Sequence, residues 1–123
     1  MAQIVTTTEQ SDKLLSLGID PKTADMSYNY GRIMVVSYFE WSKEMREEVI
    51  PAWSLGALFE LMPQEIVRLE VCFLSIDRES ISYLGDNNQM LVMESKDIFQ
   101  NAVDMIEWLV NHGYIQSNLN KND

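Results

Sequence analysis

The sequence predicts an α+β domain, with a short, mostly antiparallel sheet and helices packed on one face. Three observations carry this prediction. A run of alternating apolar residues begins at Val67 and is followed by two further short apolar runs behind polar turns. A wide helical stripe closes the chain, with Ile98, Ala102, Met105, Ile106 and Leu109 on one side. Capped helical segments and one more strand precede the meander, so strands and helices do not alternate as in a parallel α/β fold.

The first helix starts at Thr7, with Gln10 as its capping-box partner; Thr6 with Glu9 offers the neighbouring register. Leu14, Leu15 and Leu17 face a core. Gly18 stands where a left-handed residue ends a helix, and Ile19 folds back toward Leu14 or Leu15. Asp20 as cap and Pro21 as first helical residue predict one or two further turns. Residues 32–41 read as a strand. Ile33, Val35, Ser37, Phe39 and Trp41 share one face, and the other is also apolar at its centre, so cover on both sides is expected. Residues 42–49 are charged and read as a solvated loop or a frayed turn.

Residues 50–53 lead into a helix with Leu55, Leu58, Phe59 and Met62 at i, i+3, i+4 and i+7. Ser54 caps it, and Pro63 ends it by disfavouring helix in the residue before. In the meander Val67, Leu69, Val71 and Phe73 alternate with Arg68, Glu70, Cys72 and Leu74 as one strand. Residues 77–80 turn the chain, 81–84 form the second strand, 85–88 turn it again, and 89–93 form the third. The last helix starts near Ser95 or Asp97 and ends near Asn111, with His112 and Gly113 as its stop. The expected unit is one domain over residues 1–123, frayed at 1–5 and 117–123.

The chain has 123 residues, 19 acids and 9 bases, for a net charge of −10. That balance argues against a partner held through phosphates, which needs a surplus of Lys and Arg, so no direct nucleic-acid binding is expected. One cysteine excludes an intramolecular disulfide. The start carries no signal-peptide pattern, and no apolar run approaches the roughly 20 residues of a membrane span. A cytoplasmic protein without membrane association is expected.

No phosphate-binding or nucleophile motif occurs. One His and one Cys, 40 residues apart, exclude an ordinary zinc site. His112 reads as a helix-end residue that gains from the terminal partial charge, and Cys72 as a small buried hydrophobe. The acid pairs Asp77 with Glu79 and Glu94 with Asp97 read as turn and helix-start residues. No catalytic residue, cofactor or metal is therefore assigned.

The aromatics carry the functional signal. Trp108 falls roughly 130° from the centre of the last helical stripe. Tyr28 and Tyr30 precede the first strand, and Trp41 ends it. Exposed Trp and Tyr are residues that binding surfaces use, so Tyr28, Tyr30, Trp41 and Trp108 form the candidate interaction surface. Trp53 reads as a packing anchor.

Three blocks resemble a family of small uncharacterised proteins found in phage, prophage and mobile-element genes of gut anaerobic bacteria. They are Leu14-Leu15-Ser16-Leu17-Gly18-Ile19-Asp20-Pro21-Lys22-Thr23-Ala24-Asp25-Met26, Ile50-Pro51-Ala52-Trp53-Ser54-Leu55-Gly56-Ala57-Leu58, and the closing helix from Asn101 to Leu109 with Gly113-Tyr114-Ile115. The resemblance implies an accessory protein of a mobile element and assigns no activity. The expected function is a non-catalytic interaction module whose partner is another protein or a second copy. Two alternatives stand beside it: an acidic nucleic-acid mimic that blocks a DNA-binding host protein, and a carboxylate-dependent hydrolase. Residues 54–94 hold seven acids and two bases, half of the net charge.

Overall fold

The computed structural model describes residues 3–37, 40–41, 48–87, 90–94 and 96–116. It is α+β, with two antiparallel sheets of three and four strands. The chain divides into two compact units, one reaching to Phe59 and the other spanning Glu60–Gln116.

The first unit opens on α1, Thr8–Ser16. Both halves of the capping box form: Gln10 N donates to Thr7 Oγ1 at 3.1 Å, and Thr7 N donates to Gln10 Oε1 at 3.0 Å. Two of the helix's orphan donors are thereby satisfied. At the far end Gly18 has φ 86°, Ile19 N donates to Leu14 O and Gly18 N to Leu15 O. These two bonds make a Schellman motif. Leu14 and Ile19 are both buried. Asp20 then caps a 3₁₀ turn at Pro21–Thr23. Within the segment 1–5 expected to fray, Val5 is buried. Residues 117–123 lie outside the described residues.

The sheet of this unit has the order β2-β1-β3, with β1 Met26–Asn29, β2 Arg32–Met34 and β3 Val49–Ala52. It corrects the single strand expected over 32–41 in three ways. The strand stops at Met34, and residues 38–39 lie outside the described residues. It is an edge strand, with Ile33 at 41% exposure and Val35, just past its end, at 81%, and is not covered on both sides. It is the second arm of a hairpin whose first arm, β1, was hidden by an unusual turn. Tyr30 and Gly31 have φ 50° and 79°, the left-handed pair of a two-residue hairpin turn. Tyr30 is not a residue that announces that conformation. Residues 42–47 of the expected loop lie outside the described residues, while Val49 is buried and begins β3. Pro51 is tolerated in β3 because β3 lies at an edge.

Trp53 is the anchor of this unit and is fully buried. Its indole Nε1 donates to Thr23 Oγ1 at 2.9 Å. Its backbone N donates to Thr6 Oγ1 at 3.1 Å, and Thr6 N returns a bond to Trp53 O at 2.9 Å. Helix α2, Leu55–Leu61, follows with Ser54 at its start: Ala57 N donates to Ser54 Oγ and Leu58 N to Ser54 O. Ala57, Leu58 and Met62 are buried, and Leu55 and Phe59 are half-buried.

The second unit is a four-stranded meander, ordered β4-β5-β6-β7, with one helix on it. Its strands are β4 Glu65–Val67, β5 Val71–Ile76, β6 Ile81–Gly85 and β7 Met90–Met93. The alternating run from Val67 is two strands, not one. Arg68 N donates to Glu70 O at 2.9 Å and reverses the chain. Alternation survives because Val67 and Val71 pair across that turn and so point to the same face.

Helix α3, Ile98–Asn111, packs against β6 and β7. Asp97 caps it by accepting from Gln100 N at 3.0 Å; Ser95, the other expected start, lies outside the described residues. His112 is its C-cap, and Gly113 has φ 80°. Ala102, Met105, Ile106 and Leu109 are buried together with Phe99 and Val103. They meet the sheet face that carries Cys72, Ile81 and Tyr83, all buried. Tyr83 satisfies its hydroxyl by donating to Pro63 O at 2.6 Å. Burial pushes this phenol's pKa up. At the β6–β7 turn the Glu70 carboxylate accepts from Asn87 N and Asn87 Nδ2 at 2.9 and 2.8 Å. Gly85 makes room for it, since a Cβ there would lie 1.9 Å from Glu70 Oε1.

Candidate functional site

The four aromatics expected at an interaction surface fall into two groups. Tyr28, Tyr30 and Trp41 belong to the first unit and Trp108 to the second. Tyr28 is half-buried on β1 and donates its hydroxyl to Thr6 O at 2.8 Å; burial raises its pKa. Trp41 is also half-buried. Its Nε1 donates to Ser27 Oγ at 2.8 Å, and Ser27 donates onward to Val36 O. Ser27 and Tyr28 are adjacent on a strand, so their side chains leave opposite faces of the sheet. Tyr30 is the exposed member at 77%. Its hydroxyl donates to the Glu48 carboxylate, which raises the phenol's pKa through that bond and through the like-charge cost of a phenolate beside it.

Trp108 stands in a stack. The His112 ring lies 4.0 Å from it and the Tyr114 ring 5.7 Å, both close to parallel, and the Arg68 guanidinium carbon lies 5.5 Å from its centroid. Helical spacing explains His112, four residues along the same face. His112 Nδ1 also lies 2.8 Å from Trp108 O. The stack has a structural task. Leu74 N bonds Gln64 O and Arg68 N bonds Glu70 O. This register leaves Glu65 and Val67, on edge strand β4, with their backbone groups turned outward. Tyr114 donates its hydroxyl to Val67 O at 2.8 Å, so the stack caps part of an edge that would otherwise invite another strand.

The larger surface feature lies on the sheet. Glu65, Phe73, Leu84 and Met90 sit directly opposite one another across all four strands. Beside this row run Val67 with Val71, and Ser75 with Ser82 and Val92. The face is turned away from α3's buried contacts. Val67 is 63% exposed, Phe73 53% and Met90 60%, and Val71 and Leu84 are exposed as well. Among these paired positions Glu65 is the one charged side chain, on a chain of net −10. Isolated exposed apolar residues are ordinary, but a contiguous apolar face marks an interaction site. Large rings at odd positions do not mark this face, which owes its apolar surface to aliphatic side chains and Phe73. The available signal was the run Val67, Leu69, Val71, Phe73 in a meander with helices on one face only.

The polar residues weighed for chemistry have local duties. Cys72 is buried. Asp97 is a helix cap. Asp77 accepts from Glu79 N at 2.9 Å, Ser80 N at 2.8 Å and Ser80 Oγ at 3.0 Å. These bonds, led by that from Glu79 N, hold its carboxyl below the usual carboxylate range. A depressed folded-state pKa gives stability that is present above the unfolded value of about 3.9 and is lost as pH falls through the folded value. Asp77→Asn should therefore flatten the acid limb of stability below about pH 4. A carboxyl titration by NMR should place the Asp77 midpoint below that of a free Asp, and an ordinary midpoint would contradict the bonding scheme.

Among the described residues no group of three or more His, Cys, Asp or Glu is placed to hold a metal, and no helix is long and apolar enough to cross a membrane. Comparison with protein-family models, curated proteins and solved structures found no match.

Proposed function

We propose that this protein is a non-catalytic protein–protein interaction module, with the outer face of the four-stranded sheet as its binding surface. The carrying observation is the row Phe73, Leu84 and Met90, exposed and uncharged on a strongly acidic chain. Leaving such a face in water forgoes roughly 25 cal/mol per Å² of apolar surface, and an interface recovers that term. Phe73 and Leu84 stand on the two central strands and so occupy the middle of the face, where binding energy concentrates. The mobile-element setting is part of the proposal and rests on the three resembling blocks alone.

The mimicry alternative is less well supported. Asp20, Asp77 and Asp97 direct their carboxylates at local backbone N–H groups, which explains their positions without a phosphate-like array.

The test is retention from an extract of the native host on immobilised chain, wild type against Phe73→Glu/Leu84→Lys. At least one species, a host protein or the chain itself, should be retained by the wild type and lost from the double variant. Identical retention by both would overturn the reading.

A further inference from the structure

We infer that the partner of this sheet face is a second copy of the chain, packed face to face as a symmetric dimer. The inference rests on the interaction reading above and names its occupant.

A second copy fits the face in two respects. The first is charge. The rows across the face hold Glu65 at one end and no other ionisable group. A basic partner would find only Glu65, at one end of a row, to pair with. A twofold copy sets apolar rows against apolar rows and leaves Glu65 at the margin, so no charge is buried unpaired. The second is area. With 41–63% of Val67, Val71, Phe73, Leu84 and Met90 open, these side chains offer on the order of 450 Å² of apolar surface, the size of a functional patch. Two copies double that figure. With the exposed Ser75, the half-open Val92 and the strand margins added, the total approaches the range of about 1,200 Å² in which stable interfaces begin, while Ser82 on the same face is buried and adds nothing. The geometry is that of two open sheets packed about 10 Å apart, with Phe73 and Leu84 of each copy at the centre.

Net charge fixes the sign of the salt effect. Two copies of net −10 repel each other outside the contact, so salt screens a repulsion and tightens the dimer. A complementary charged partner would show the reverse.

Sedimentation velocity on the full chain tests this in 0.05 M and 0.5 M NaCl. A dimer is expected, stronger at the higher salt. Phe73→Glu and Leu84→Lys should each weaken it at least about 100-fold, with unchanged circular dichroism, since both positions are exposed in the single chain. A monomer at about 100 μM in both salts would overturn the inference, as would a dimer indifferent to both substitutions. A monomer that still captures a host protein through Phe73 and Leu84 would remove the second copy while leaving the interaction reading intact. A monomer whose captured proteins ignore both substitutions would remove both.

Discussion

Trp53→Ala is expected to lower the unfolding free energy by about 3–5 kcal/mol, the range for truncating a large buried aromatic. The side chain has no exposed surface. It also ends two chains of hydrogen bonds, one through Nε1 to Thr23 and one through its backbone to Thr6. Truncation leaves a cavity and removes the indole's bond to Thr23, whose exposed hydroxyl keeps its own bond to Asp20 O. At an m-value of roughly 1–2 kcal/mol/M in urea, the midpoint should fall by about 1.5 M or more. Far-UV circular dichroism should follow the transition, because the substitution removes a fluorophore. Thr23→Val separates the contributions: it breaks the indole bond and keeps the ring, and should cost only about 1 kcal/mol. A loss below about 1 kcal/mol for Trp53→Ala would mean that the site collapses around the gap and that Trp53 is not an anchor.

Trp53 also shows which parts of this fold are legible in sequence. Elements held by local chemistry are. The Thr7–Gln10 box, Gly18, the Asp20-Pro21 turn and the Asp97 cap each need only residues within one helical turn, and each forms as read. The stripe of α3 is legible because its 3.6-residue period runs over 14 residues. What fails is pairing over distance. Strand β3 joins β1 in a register that sets Ile50 opposite Tyr28, and nothing within residues 49–52 encodes that partner. β1 itself is short and polar, with Ser27 and Asn29 in a four-residue strand. Its turn uses Tyr30 at positive φ, where Asn or Gly would have given it away.

The site was half legible for a related reason. Alternation reports that two faces differ, and in residues 67–73 it reports this correctly. It does not report which face is covered. Val67 and Phe73 look like core residues by composition, yet the buried side of β5 is held by Cys72. Only the placement of α3 against β6 and β7 decides the matter. Of the four aromatics expected at an interaction surface, Tyr30 is exposed and the other three have partners in the fold. Tyr28, Trp41 and Trp108 are large enough to look left over, but each finds a hydrogen-bond or stacking partner within its own unit.

The second large effect should come from Asn101, a polar residue that hydrophobic patterning passes over. It is 1% exposed on α3, and its amide ties together three pieces of chain. Oδ1 accepts from Lys96 N at 3.1 Å, while Nδ2 donates to Lys96 O at 2.8 Å and to Glu79 O at 3.1 Å. The link before α3 and the β5–β6 turn are both pinned to the helix by one side chain. Asn101→Ala should cost about 2–3 kcal/mol, because buried donors and acceptors lose their partners. Asn101→Asp should cost more at neutral pH, about 3–5 kcal/mol, since an ionised carboxylate would face two carbonyl oxygens with no proton to offer. Burial and those carbonyls raise the folded-state pKa of the introduced group above the unfolded value of about 3.9. The neutral acid is then the form that suits the fold. Stability of this variant relative to wild type is fullest below the unfolded pKa and declines as pH rises toward the folded one. Urea midpoints of both proteins across pH 4–8 should show a gap that widens with pH. A gap of constant size would mean that water reaches the site, and that Asn101 does not bind these segments through a dry amide network.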